Sequence, residues 1–566
     1  MGFSKLAAQD KRPLIIISSG QNKDVVHKFI DKKSEYDSIT AIQAAQQLIN
    51  KLHSEGYLTA GFDSIVFDTG EVKAFLWTGD EYQWAVLRPG NLDVDLLART
   101  GYRSRYFNEK KFRPQEVTKL FENIIKYSDN NGYPFASVKL DSIEINHSYI
   151  SASLNYDRGP FISFDSIQVS GNSRVKSRYL SAYLKILHGQ PFEEDRVLQI
   201  SQRLKRLPYL QLNENPFVTF QNSEGSVYLD INDKKVNQID GIIGFLPNEG
   251  NNNLLITGQF NLLLQNLFGT GKELNMEWQR IKPLSQLLNL AYFHPNILHS
   301  PLNVGTSFHL LKEDTTFINR DLSLKLILNK GRFSDIKFFT NIRSANLLST
   351  SQYRRIEYLP DYADFTLSTY GVGYQWSNLN DFIFPTRGFH FEIDGSVGNK
   401  KIKRNIGLPQ ELYYGIPEKS LQYSMTAALS NSLELRRNIV FMGKLQAGMV
   451  ENEKLFLNDL FRLGGLRSLR GFNENFFFAS HFATATLETR LLFEEQSYFF
   501  VFLDQGWLKY NLTNIDFQDT PTGVGIGLNL TLEGGIFNFV YALGNSKLQP
   551  IGFQTSKIHL GYISRF

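Results

Sequence analysis

The chain has 566 residues, which sets an expectation of several domains, and its charge is nearly balanced, with 60 Lys+Arg against 56 Asp+Glu. That balance argues against a global nucleic-acid-binding field, and the absence of any Cys excludes disulfides, thiolate chemistry and Cys-containing zinc sites. Aromatic residues make up 13%, with 45 Phe and 26 Tyr, a bias that suits strands and membrane interfaces.

The sequence contains no run of about 18 apolar residues, so a transmembrane helix is not expected. The apolar stretch Leu14 to Ile17 is too short for a signal-peptide core. Residues 1–10, with "SKLAAQD", read either as the remnant of an export signal or as an ordinary N-terminus.

A repeat follows. "EGYLTAGFDSIVFDTGEVKAFLW" (55–77) echoes "NGYPFASVKLDSIEINHSYISASL" (131–154), and each copy follows a segment with helical apolar spacing. Ile42, Leu48, Ile49 and Leu52 share one helix face, and Leu120, Phe121, Ile124 and Ile125 do the same in the second copy. Gly56 and Gly132 stand where a helix end needs a left-handed residue. A third unit runs from the strand "FISFDSIQVSGN" (161–172) through a helix in "PFEEDRVLQISQRLKRLPYL" to a strand pair at 217–231. The units fall at 11–80 (the least regular), 81–158 and 159–236. Their order and length resemble POTRA domains of outer-membrane assembly and secretion proteins, with "SIQVSGN" and "GQPFEEDRV" as the closest local matches. A tandem of generic α/β modules is the alternative.

Helical periodicity ends near residue 238. Segments such as "LSLKLILN", "ATATLETRLLF" and "YFFVFLDQG" alternate, separated by Asn, Gly, Asp and Ser. In 481–493, Ala483, Ala485, Leu487, Leu491 and Phe493 fall on one face and Thr484, Thr486, Glu488 and Arg490 on the other. Residues 238–566 number 329, enough for about sixteen strands of a transmembrane antiparallel β-barrel. A soluble sandwich or propeller pair is the alternative. Against it, "KIHLGYISRF" places Ile558, Leu560, Tyr562 and Phe566 on one terminal face, an aggregation-prone edge unless a barrel closes it.

The glycine-rich "FRLGGLRSLRGFNENFF" (461–477) lacks the GxxxxGK[ST] pattern of a phosphate loop, and so does "GTGK" at 269–272. Its "SLRGF" resembles the (V/I)RG(F/Y) motif of the BamA/TamA/two-partner-secretion superfamily (POTRA domains plus a sixteen-stranded barrel), carried by a loop that folds back into the lumen. The "FLDQG" at 502–506 resembles that family's FxDxG strand, and the terminal Phe566 its C-terminal signal. "FPTRGFHFEIDG" (384–395) resembles a strand entrance of these barrels, and "NLFGTGKELNMEW" (266–278) the first barrel hairpin. The resemblance implies that Arg470 pairs with Asp504, that Gly471 permits a tight backbone, that Phe472 packs on the wall, and that Gly506 shares the inward face of Asp504. Glu488 is a second candidate partner. A guanidinium in a narrowed pore needs a carboxylate, and losing one partner of a buried pair costs about 3–5 kcal/mol.

The function implied is assembly and insertion of outer-membrane proteins. Unfolded clients would bind the periplasmic modules and leave through a weak barrel seam at 558–566. Client polypeptides, accessory lipoproteins and the lipid bilayer are the implied partners, with no nucleic acid and no cofactor or metal. A two-partner secretion translocator is the alternative, and a passive porin the alternative from another class. An enzyme is not expected: the 10 His are scattered, HExxH is absent, and Ser480-His481 is only a sequence neighbour pair.

Overall fold

A computed structural model describes residues 12–19, 35–68, 70–247, 254–280, 284–330, 333–350, 359–381, 384–494, 496–512, 515–532 and 534–566. The expected export-signal remnant at 1–10 lies outside these residues. Two compact units divide the chain: one holds 1–165, 188–197 and 220–225, and the other the remainder, so the division runs through the third repeat.

The first two repeats share one plan. In the first, Arg12–Ser19 runs parallel to Val72–Trp77, which pairs antiparallel with Gly61–Phe67. In the second, Gln83–Arg88 runs parallel to Tyr149–Asp157, which pairs antiparallel with Ser137–Asn146. A parallel pair needs a crossover, and helices supply it. Ser38–Ser54 is capped by the Asp37 carboxylate, which accepts from the amides of Ile39 and Thr40. Val94–Thr100 and Pro114–Asp129 serve the second repeat, the latter opening on its proline. Gly56 and Gly132 end the two long helices at φ 97° and 89°. The second core gathers Trp84, Leu87, Leu120, Ile124, Ala152 and Leu154. In the third repeat, Ser163–Ser170 pairs with Glu224–Asp233 beside Phe217–Gln221 and Leu210–Leu212.

Among the described residues, sixteen strands close an antiparallel barrel. They are β1 Gln238–Pro247, β2 Leu254–Leu267, β3 Lys272–Arg280, β4 Gln286–His294, β5 Leu302–Glu313, β6 Phe317–Lys330, β7 Ser334–Leu347 and β8 Phe365–Ser377. There follow β9 Gly388–Ile402, β10 Lys419–Arg436, β11 Ile439–Glu451, β12 His481–Leu492 and β13 Tyr498–Leu512. The last are β14, interrupted between Ile515–Asp519 and Thr522–Leu532, β15 Gly535–Asn545 and β16 Lys557–Arg565. Both pieces of β14 pair with β13, at its two ends. No helix among the described residues is long and apolar enough to cross a membrane. The strands themselves carry the apolar outer face, where Val501, Leu503, Ile526, Leu487 and Leu491 stand exposed, each between more buried neighbours.

One sequence expectation is corrected. The stretch 266–278 forms the β2/β3 turn and most of β3, not the first hairpin, because β1 precedes it with a glycine-interrupted pattern that reads weakly as a strand. The turn has its own task. The Gly269 carbonyl accepts from the Lys176 amide at 2.9 Å, which ties the barrel to the third repeat.

Closure is uneven. β1 pairs with β2 along its whole length, Gln238 opposite Leu263 through Pro247 opposite Leu254. Among the described residues, its ladder with β16 comprises Gln238 opposite Arg565 and Ile239 opposite Ser564. The Phe566 amide donates to the Asn237 carbonyl at 3.1 Å, and the Asn237 side chain accepts from the Gln265 amide at 2.9 Å.

Candidate functional site

The strand alternation of β12 and β13 decides which side chains enter the lumen. On β13, Phe500, Phe502, Asp504 and Gly506 are buried while Phe499, Val501, Leu503 and Gln505 are exposed. On β12, Glu488 is buried between exposed Leu487 and Thr489. Two carboxylates therefore point into a partly desolvated interior and need a cation.

The loop 452–480 between β11 and β12 brings one. It holds a short hairpin, Phe461–Leu463 against Phe477–Ala479, that presents 464–476 as its tip. The Arg470 guanidinium grips Asp504 as a fork: Nε lies 2.8 Å from Oδ2 and Nη2 lies 2.8 Å from Oδ1. Its third nitrogen, Nη1, donates to Glu488 Oε2 at 2.6 Å, and its backbone amide adds a bond to Asp504 Oδ2 at 3.0 Å. The guanidinium carbon sits 3.5 Å from the Phe502 ring centroid, so ring and carboxylates hold it together. Glu488 is in turn held by Arg490, 2.8 Å away.

Backbone shape makes this approach available. Gly471 has φ 91°, and a Cβ there would come within 2.7 Å of the Leu543 and Gly544 backbone. Gly523 on β14 lies under Arg470, and a Cβ there would meet the Arg470 carbonyl oxygen at 2.1 Å. Gln549, from the loop before β16, donates to the Gly471 carbonyl at 3.0 Å. Phe472 is fully buried against Phe476 and Phe477 and near Leu469 and Leu508. Gly506 lies beside Leu469, and its amide donates to Pro521 at 2.7 Å. The structure thus places Arg470, Gly471, Phe472, Asp504, Gly506 and Glu488 in one cluster. Ile558, Leu560, Tyr562 and Phe566 lie apart from it, exposed on the outer face beside the β1/β16 closure.

Sequence reasoning missed a second charged anchor. Lys400 near the end of β9 and Asp459 at the root of the same loop form an ion pair with both side chains fully buried. The ammonium also donates to the Lys454 carbonyl at 3.0 Å and stands 4.5 Å and 4.8 Å from the Phe365 and Phe456 ring centroids. No local motif marks this pair, because its members lie 59 residues apart. The signal available was a lysine at an inward position of an alternating strand. Arg462 completes the set, pairing with Glu313 at 3.1 Å beside the Phe478 ring.

Beside the loop, a chamber of about 580 Å³ remains in the lumen. Polar and charged groups line it, including Asp321 paired with Arg343 at 2.5 Å and Asp394 paired with Lys337 at 2.7 Å. No group of three His, Asp or Glu among the described residues converges to hold a metal. Ser480 sits 3.0 Å from His481 Nδ1, but it is buried and also donates to the Lys509 carbonyl at 3.1 Å, so its hydroxyl is engaged by the backbone.

Comparison with known proteins gives the cluster a context. Residues 266–560 match the Omp85 superfamily domain, and residues 162–234 match the POTRA domain, described as a surface antigen variable number repeat. No curated protein sequence matches the chain. Among solved structures, CdiB from Escherichia coli is similar at 13% identity and TM-score 0.56, over 93% of this chain and 97% of that one. CdiB from Acinetobacter baumannii is similar at 13% identity and TM-score 0.51, over 86% and 88%. BamA from Haemophilus ducreyi lacking POTRA domains 1–3 aligns at 16% identity and TM-score 0.43, over 86% and 99%.

Proposed function

From the chain's membership of the Omp85 superfamily, we propose that it is an outer-membrane protein assembly factor. Three POTRA-like modules, at 11–80, 81–158 and 159–236, face the periplasm and receive unfolded client polypeptides. The barrel passes the client into the bilayer at its seam. The observation that carries this reading is the closure itself, where among the described residues β16 pairs with β1 only at Gln238/Arg565 and Ile239/Ser564. The remainder of each strand edge is a row of backbone donors and acceptors ready to pair with a client strand. Ile558, Leu560, Tyr562 and Phe566 act as the seam's outer face, and the Arg470–Asp504–Glu488 cluster acts as a latch that keeps the loop in the lumen. The work needs no nucleotide, since folding of the client drives it, and no residue is assigned a catalytic role. Accessory lipoproteins are further partners in this reading.

A second reading, a two-partner secretion translocator, is favoured by the polar lining of the lumen chamber, which suits a polypeptide passing through the barrel. A passive porin accounts for the barrel alone and leaves the modules and the latch without a task.

Depletion in the native cell, with quantitative proteomics of outer membrane and medium, separates these. Broad loss of barrel proteins from the outer membrane is the expected result. Loss of one or a few large secreted proteins with the outer membrane intact would overturn it in favour of secretion.

A further inference from the structure

The second POTRA-like module carries a cleft of about 610 Å³, within the size range of ligand sites. It opens between the N-terminal half of helix Pro114–Asp129 and the segment 100–111 that precedes it. Its apolar wall is Tyr106, Phe107 and Leu120. Phe107 and Leu120 are anchored in the module core, while Tyr106 is 48% exposed. Four cations surround that wall: Lys110, Lys111, Arg113 and Lys119. Arg105 adds to the field and donates to the Tyr106 hydroxyl at 3.2 Å.

The positive charge is only partly answered. Lys111 pairs with Glu81, and Arg113 lies 3.6 Å from Glu55 and 3.7 Å from Glu116, the one acid that lines the cleft. Lys110 and Lys119, both exposed, have no ion-pair partner among the described residues. Lys110 and Lys111 also form the outermost strand of the module's sheet, on the side away from Ser137–Asn146. One edge of that short strand is used by Gln83 and Trp84, and the other is not part of the ladder. A concave aromatic wall, a free ladder edge and a surplus of cations stand together. Concavity and the free edge suit an extended chain, whereas a membrane presents a flat surface.

We infer that this cleft binds an extended acidic peptide segment, seating one large apolar side chain on Tyr106, Phe107 and Leu120 and its carboxylates on Lys110 and Lys119. The inference rests on the assembly reading only in taking that segment as part of a client. The site lies at the opposite edge of the sheet from Ser137–Asn146, and its lysines make it selective for charge as well as for backbone.

The test uses the full chain in detergent micelles and a fluorescein-labelled octapeptide alternating Asp with Phe, read by anisotropy. Binding by wild type is expected, and it should weaken as salt rises toward about 1 M, where the Debye length is about 3 Å. Lys110→Glu combined with Lys119→Glu should weaken it about tenfold, the sum of two exposed charge contacts. Tyr106→Ala should also weaken it, and Lys139→Glu on the far edge should not. An unchanged limited-proteolysis pattern within residues 81–158 shows that each variant's module remains folded. Equal binding of the Asn-for-Asp peptide, or wild-type affinity in the double variant, overturns the inference. Phosphatidylglycerol vesicles that bind with the same dependence on Lys110 and Lys119, and that the peptide does not displace, overturn it in favour of a headgroup site. Depletion proteomics reads the assembly function independently of this cleft, so either result can fail without the other.

Discussion

Behind the lumen loop, β12, β13 and β14 form a wall held at several points at once. Arg470 joins Asp504 on β13 to Glu488 on β12, and Gly523 on β14 lies under its carbonyl. On the other side of the same cylinder, β16 reaches β1 at one end of the ladder and no further. The wall buries charge that is satisfied only if several segments are in register, and the seam leaves ladder groups unsatisfied by its neighbour. A barrel built this way concentrates its cooperativity in one arc and its plasticity in the other.

The contrast breaks most completely if the seam is locked. Because the chain has no Cys, Ile239→Cys with Ser564→Cys can be oxidised without competing thiols. Oxidation should abolish client insertion in a reconstituted assay and reduction should restore it. A β2/β3 lock, Leu262→Cys with Met276→Cys, should leave insertion unchanged. Full activity of the seam-locked protein would remove the seam from the mechanism.

Next in size is the wall. Asp504→Ala strands the Arg470 guanidinium and should cost about 3–5 kcal/mol, as for other broken buried pairs. The expected signs are a lower unfolding midpoint and cleavage of 461–480 by added protease. Arg470→Lys keeps the charge but loses the fork, and should recover part of the stability.

The Lys400–Asp459 anchor sharpens the comparison at the root of the loop. Asp459→Ala alone should destabilise on the same scale. Lys400→Met with Asp459→Leu should cost much less than either single change, because no uncompensated charge remains. Equal loss in single and double variants would mean that packing, not charge, holds the root.

The smallest effect belongs to the N-terminal modules. Burial raises the Asp129 carboxyl from 3.8 to about 6, with nearby Glu194 adding to the shift. The folded form then holds a proton that the unfolded form releases, so stability is greatest below about pH 4 and declines as pH rises through about 6. Asp129 is only partly buried, so solvent screening limits the contribution to below about 1 kcal/mol. Asp129→Asn should flatten the unfolding midpoint between pH 4 and pH 7 relative to wild type.

The barrel was legible in the sequence because its code is local. Alternation in 481–493 and 498–506 assigns each side chain to lipid or lumen with no knowledge of partners. The repeated modules were legible for the same reason, through helix periodicity beside a recurring Asp-Ser-Ile strand. Arg470 and Asp504 could be paired because a family resemblance joined two motifs 34 residues apart. Lys400 with Asp459, Gln549 with Gly471, and Gly523 under Arg470 escaped notice, since nothing in one segment names its partner in another. β1 escaped as well, and with it the true position of the 266–278 hairpin segment.

The bond from Phe566 to Asn237 has a mechanical meaning. Asn237 is the residue between the third module and β1, so the Phe566 amide is fastened to the point where the third module joins the barrel. A ladder joined at one end opens like a zipper, one hydrogen bond at a time, whereas a ladder joined along its length must shear many bonds together. Under the proposed assembly function, a pull on the linker is delivered to the zipper's first tooth, and tension in the modules becomes a handle on the width of the seam.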